Sequence, residues 1–114
     1  MERFVRGTVV VVPFPFSDLT ATKRRPALVV ASLPGHDIIL CQITSQAFTD
    51  PRAITLTEQD FASGGLRRES YVRPTRLFTA DSNLVLQRAG TLRLSSLQTV
   101  IAALIRLFTT EALT

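Results

Sequence analysis

Lys23-Arg24-Arg25-Pro26-Ala27-Leu28-Val29-Val30 sets three cations against a proline that opens an apolar, β-branched run. The run reads as a buried strand, and the cations read as a loop delivered onto its first residues. Fixed positive charge on a rigid strand end is what a phosphate-binding site needs. Downstream, Gln42-Ile43-Thr44-Ser45-Gln46 does the reverse, leaving a strand through hydroxyls and an amide. The two strand ends are expected to face each other.

Working outward, Val9-Val10-Val11-Val12 is unbroken, the pattern of a central strand buried on both faces. Pro13 and Pro15 lack the backbone donor and are expected to end its ladder pairing. Phe14 and Phe16 share a face on an extended chain, where core packing accounts for both and base stacking is open to Phe16. Residues 17–22 read as a polar loop running into the cations. Pro26–Ser32 and Ile38–Ile43 make a hairpin across Pro34-Gly35-His36-Asp37, with His36 as solvated surface at its tip. Ala53–Thr57 is a short fourth strand. Thr57-Glu58-Gln59-Asp60-Phe61 reads as a capped helical turn closed by Gly64-Gly65. Ser70–Thr79 is a fifth strand with Tyr71, Arg73 and Thr75 on one face and Pro74 marking an edge or bulge. Leu84–Gly90 is a weakly patterned connection with room for one more short strand. Ser95-Ser96-Leu97-Gln98 reads as a capping box, after which Leu97, Val100, Ile101, Leu104, Ile105 and Phe108 recur at helical spacing. That helix docks on the sheet or on a partner. The sum is one domain over residues 1–114, a mostly antiparallel barrel with a C-terminal helix.

The balance of 19% charged against 46% hydrophobic residues is that of a folded chain with a core. Its net charge is +4, and Lys23 is the sole lysine among thirteen basic residues. Arginine binds phosphate bidentately and stacks on bases, so this bias suits nucleic acid; Arg-preferring codon usage would produce it equally. Cys41, the one cysteine, forms no intramolecular disulfide and reads as a buried structural thiol. No stretch approaches the ~18 apolar residues of a membrane helix, and Met1 to Gly7 lack a signal-peptide pattern. A cytoplasmic location is expected.

The missing motifs narrow the chemistry. The sequence has no Gly-rich phosphate loop after a strand, no metal-ligand cluster and no nucleophile elbow. Asp18, Asp50, Asp60 and Asp81 fall at turn positions, where turns and caps account for them. Neither metal nor cofactor is expected, and any site must work with arginine, hydroxyls, amides and backbone. RNA suits that kit, because its ribose 2′-hydroxyl is a nucleophile already adjacent to the scissile phosphodiester. Arginine would stabilise the phosphorane, although it is a poor general base at neutral pH.

Phe14-Pro15-Phe16, Arg25-Pro26-Ala27-Leu28-Val29-Val30 and Ile43-Thr44-Ser45-Gln46 resemble the MazF/PemK (Kid) toxins of type II toxin–antitoxin systems. Ser70-Tyr71-Val72-Arg73-Pro74, Leu77-Phe78-Thr79-Ala80-Asp81 and Gly90-Thr91-Leu92 continue the likeness in order, from Gly7 to the last helix. The resemblance implies a mainly β (α+β) SH3-like barrel with a C-terminal helix, usually a homodimer, that cleaves single-stranded RNA without metal. Carried over by position, it implies Arg25, Thr44 and Arg73 as catalytic. Phe16, Ser17, Lys23, Arg24, Ser45, Gln46 and Thr75 become the RNA-binding set, with Lys23 and Arg24 steering by charge. Two departures stand out: Thr75 replaces an acidic residue, and Phe16-Ser17-Asp18 lacks the first-loop histidine. The implied partners are an acidic, partly disordered antitoxin and, only through that complex, operator DNA. The rival on the same fold is a non-enzymatic, CcdB-like poison of DNA gyrase. It would need hydrophobic residues at the end of the helix, where Thr109-Thr110-Glu111-Ala112-Leu113-Thr114 offers no aromatic. A third reading is an SH3-like interaction module without toxicity.

Overall fold

Val9 and Val10 are adjacent yet belong to different apolar clusters, because a strand sends successive side chains to opposite faces. The computed structural model describes residues 3–15, 22–46 and 50–110. Its strands are β1 (Thr8–Pro15), β2 (Thr22–Ser32), β3 (Asp37–Thr44), β4 (Ile54–Leu56), β5 (Phe61–Gly64), β6 (Ser70–Asp81) and β7 (Gln87–Leu92). Helix α1 (Leu94–Thr109) follows, and short 3-10 turns span Glu58–Asp60 and Ser82–Leu84. All strand pairs are antiparallel, in one sheet ordered β4-β6-β3-β2-β1-β7-β5. The two edge strands are consecutive in the chain, joined through the turn Glu58–Asp60, so the sheet curls into a half-barrel.

The central strands are covered on both sides. On one face Val9, Leu28, Val30, Cys41, Ile43 and Val72 pack under Leu97, Val100 and Leu104 of α1. On the other, Val10, Val12, Ala27, Val29, Ile38 and Leu40 are covered by Phe4 and flanked by Phe14, Phe78, Ala80 and Val85. Each fully buried Leu or Ile contributes about 1.5–3 kcal/mol, so both clusters hold the sheet. The expected hairpin is present, with Ala27 opposite Gln42 and Leu28 opposite Cys41.

Several expectations are corrected. β1 does not stop at Pro13: it pairs with β2 as far as Pro15 opposite Thr22. The Val11 carbonyl accepts from the Leu86 amide, away from β2. By alternation the nitrogens of Pro13 and Pro15 face that same side, beyond the end of β7, so the β1–β2 ladder loses no donor. The cations are likewise not in a loop. β2 begins at Thr22, and Lys23, Arg24 and Arg25 stand opposite Phe14, Pro13 and Val12. The turn Glu58–Asp60 runs straight into β5 instead of closing at Gly64-Gly65. The further short strand for which Leu84–Gly90 left room is present as β7, which begins at Gln87 and runs past Gly90 to Leu92.

The capping box at Ser95 is replaced by a tertiary arrangement. α1 starts at Leu94 behind Arg93, which makes no side-chain cap. Ser96 Oγ donates instead to Asp60 Oδ1 at 2.7 Å, and the Arg93 amide donates to the Asp60 carbonyl at 2.8 Å. A carboxylate from the neighbouring turn thus sits at the positive end of α1. Ile105 and Phe108, at helical spacing with the core residues, are 57% and 70% exposed, so only part of the apolar stripe docks on the sheet.

Candidate functional site

Alternation along β2 puts Arg25 on the face of Ala27 and Val29, the one turned away from α1. Thr44 ends β3 on that same face, in step with Leu40 and Ile38. Continuing the β2–β3 register two residues beyond Ala27 and Gln42 sets Arg25 level with Thr44. Thr44 in turn pairs with Tyr71 of β6, and Arg73 follows two residues on. Arg25, Thr44 and Tyr71 are thereby gathered at one end of one face, from three adjacent strands, and Arg73 joins them because burial in β6 still alternates from Ser70 to Pro74. Thr44 is buried, and its Oγ1 accepts from the Gln46 amide at 3.3 Å. Arg25 and Arg73 are half-buried, so each presents charge from a supported stem.

The remaining candidates fall into three groups. Lys23 is exposed on the Arg25 side, whereas alternation sends Arg24 to the opposite face. Ser45 and Gln46 are exposed directly after Thr44. Thr75 is exposed within an irregularity where residues 73–76 lie between the pairs Ile43–Val72 and Cys41–Leu77. The simple alternation that would group Thr75 with Tyr71 and Arg73 therefore does not carry through. Phe16 and Ser17 lie outside the described residues. Phe14 meets Phe78 edge-on, ring centres 4.9 Å apart at 76°, as a core pair.

Asp50, read from sequence only as a turn residue, reaches the candidate site through Arg73. Its Oδ1 accepts from the Arg52 amide at 2.9 Å, the expected turn bond. Its Oδ2 accepts from Arg73 Nε at 3.2 Å, which a turn reading does not supply. The Arg52 amide first, then the bond to and charge of Arg73, hold its carboxyl below the usual carboxylate range. Asp50 is therefore ionised at neutral pH. No local pattern announces a bond across 23 positions.

Elsewhere, exposed His36 sits at the far end of the sheet, where Asp37 pairs with Asp81. Burial pushes the Cys41 thiol up to about 12, making it a structural residue. Among the described residues, no three His, Cys, Asp or Glu side chains group as a metal site would. The gathered groups can bind a phosphodiester: guanidinium cations offer planar donors to its oxygens, beside a hydroxyl held in place.

The chain matches the family described as PemK-like, MazF-like toxin of type II toxin-antitoxin system over residues 5–108. It is similar to a chain in the crystal structure of MazE–MazF (Form-II) from Deinococcus radiodurans, at 21% identity and a TM-score of 0.75, covering 97% of this chain and 100% of that one. An endoribonuclease from a mycobacterial species superposes with a TM-score of 0.71 at 18% identity, covering 95% and 93% of the two chains. Mycobacterium tuberculosis toxin MazF-mt6 gives 0.64 at 17% identity, covering 87% and 95%. At these identities the structural likeness is one of fold. No individually curated protein matches.

Proposed function

Because the chain belongs to the PemK-like, MazF-like toxin family of type II toxin–antitoxin systems, we propose that it is an endoribonuclease that cuts single-stranded RNA and thereby stops translation and growth. The observation that carries this reading is the convergence of Arg25, Thr44 and Arg73 at one end of one sheet face. In the proposed reaction the ribose 2′-oxygen bonds to phosphorus and the bond to the 5′-oxygen breaks. The proton lost by the 2′-hydroxyl is made good on the leaving oxygen, and the product is a 2′,3′-cyclic phosphate. Arg25 and Arg73 stabilise the phosphorane oxygens, while the Thr44 hydroxyl fixes the orientation of the phosphodiester. Lys23, Ser45, Gln46 and Thr75 border the path of the strand, and the reaction calls on no metal.

The proposed assembly is a homodimer silenced by an acidic, partly disordered antitoxin segment that folds as it binds. Operator DNA is contacted only by that complex. Purified protein is expected to cut single-stranded RNA in EDTA and to leave cyclic phosphate ends, read by end-specific ligation or mass spectrometry. Arg25→Ala is expected to lower the cleavage rate by about 10²–10³-fold. Full activity in the folded variant would sink the site assignment. No cleavage of any long RNA, with gyrase–DNA complexes trapped instead, would point to the CcdB-like alternative.

A further inference from the structure

Beyond Thr44, the chain meets Arg73 at Asp50. Asp50 is pinned by the Arg52 amide on one carboxylate oxygen and bonded to Arg73 Nε on the other, at 2.9 and 3.2 Å. The side chains of Arg73 and Asp50 retain only 18% and 12% of their exposure. An acceptor held by backbone on one side is fixed in space, so the guanidinium bonded to its other side gives up much of its freedom to swing. From this geometry we infer that Asp50 is a positioning residue for RNA cleavage: it acts through Arg73, setting where that guanidinium meets the reacting phosphate. The inference rests on the endoribonuclease reading above.

Two described residues near Arg73 in sequence are placed differently from Asp50. Thr75, on the same strand as Arg73, is exposed and carries no charge. Glu69 is exposed and accepts from the Tyr71 hydroxyl at 3.4 Å. Asp50 also lies four residues past Gln46, so the segment that leaves the buried Thr44 is tied back to β6 at the position where the chemistry needs Arg73. One ion pair thereby links Asp50, which lies between β3 and β4, to Arg73 of β6.

Asp50→Asn separates the two duties of the carboxylate. The carboxamide oxygen keeps the turn bond to Arg52, while the amide NH₂ faces Arg73 where a carboxylate oxygen stood. On an RNA that the wild-type protein cuts, kcat is expected to fall about 10- to 100-fold with KM changed less than about threefold. In an Arg73→Ala background the same substitution is expected to have no further effect on kcat. Equal losses in both backgrounds, or an unchanged kcat in the folded variant, would overturn the inference. An arginine-selective ¹⁵N NMR experiment supplies an arm that needs no RNA: the Arg73 Nε–H resonance is expected to move in Asp50→Asn. An unmoved resonance overturns the pairing itself. If wild-type protein cuts no RNA, the functional reading fails and takes the kinetic consequence with it, whereas the NMR result still decides whether Asp50 holds Arg73. Should Asp50→Asn not fold, Asp50→Ser, which keeps a turn acceptor without charge, takes its place in both arms.

Discussion

Asp60 accepts from the Thr57 amide at 2.8 Å and from Ser96 Oγ at 2.7 Å. Its carboxyl is held below the ordinary aspartate value, first by the Thr57 amide and then by the hydroxyls of Ser96 and Thr57 and the charge of Arg93. Asp50 is lowered too, chiefly by the Arg52 amide. For both groups the folded-state value lies below the unfolded one. Each therefore contributes stability that is complete above the unfolded value of about 3.9 and is lost as pH falls through the folded value. Asp60→Asn is expected to cost about 1–2 kcal/mol at pH 7 and to flatten the acid limb of the stability curve; urea melts at neutral and acid pH measure both. That Arg25 and Thr44 come to one face was legible because each stands at the end of an apolar strand, and alternation then sets the face. Asp50 was not. Its bond depends on where a loop comes back in space, and nothing in its neighbours in sequence encodes that return.

β5 pairs with β7 at two glycines. Gly64 has φ +64°, and a Cβ there would overlap the Ala89 carbonyl; at Gly90 it would stand 2.6 Å from the Ser63 carbonyl. The strands approach so closely that side chains are excluded, which is why neither shows hydrophobic alternation and why β5 escaped the sequence reading. Gly64→Ala is expected to cost roughly 2–4 kcal/mol and to strip amide-exchange protection from β5 and β7 before β2 and β3. Equal protection throughout would show that the edge does not depend on this contact. The helix start offers a second lesson. Ser95 and Gln98 have the spacing of a local cap, but Asp60 from another element supplies a better acceptor to Ser96. Local motifs compete with tertiary partners, and at this terminus the tertiary partner won.

The sheet divides the molecule into two sides. One face buries its apolar residues under α1, and the other ends in Arg25, Thr44 and Arg73. Strands covered on both sides write themselves as unbroken apolar runs, so the centre of the fold could be read from sequence. One edge, β4, was also read, as the short strand at Ala53–Thr57; the other, β5, paired to β7 through glycines, was not. Cys41 lies at the heart of that legible centre, fully buried between Leu28 and Leu77. A reagent in solvent can meet its sulfur only when β2, β3 and β6 part. Under native conditions an alkylating reagent is expected to label it no faster than the molecule opens globally, with the adduct followed by mass spectrometry. Labelling that saturates far faster than unfolding would mean that the sheet breathes. The chain holds one sulfhydryl, so it carries its own clock for the lifetime of the folded state.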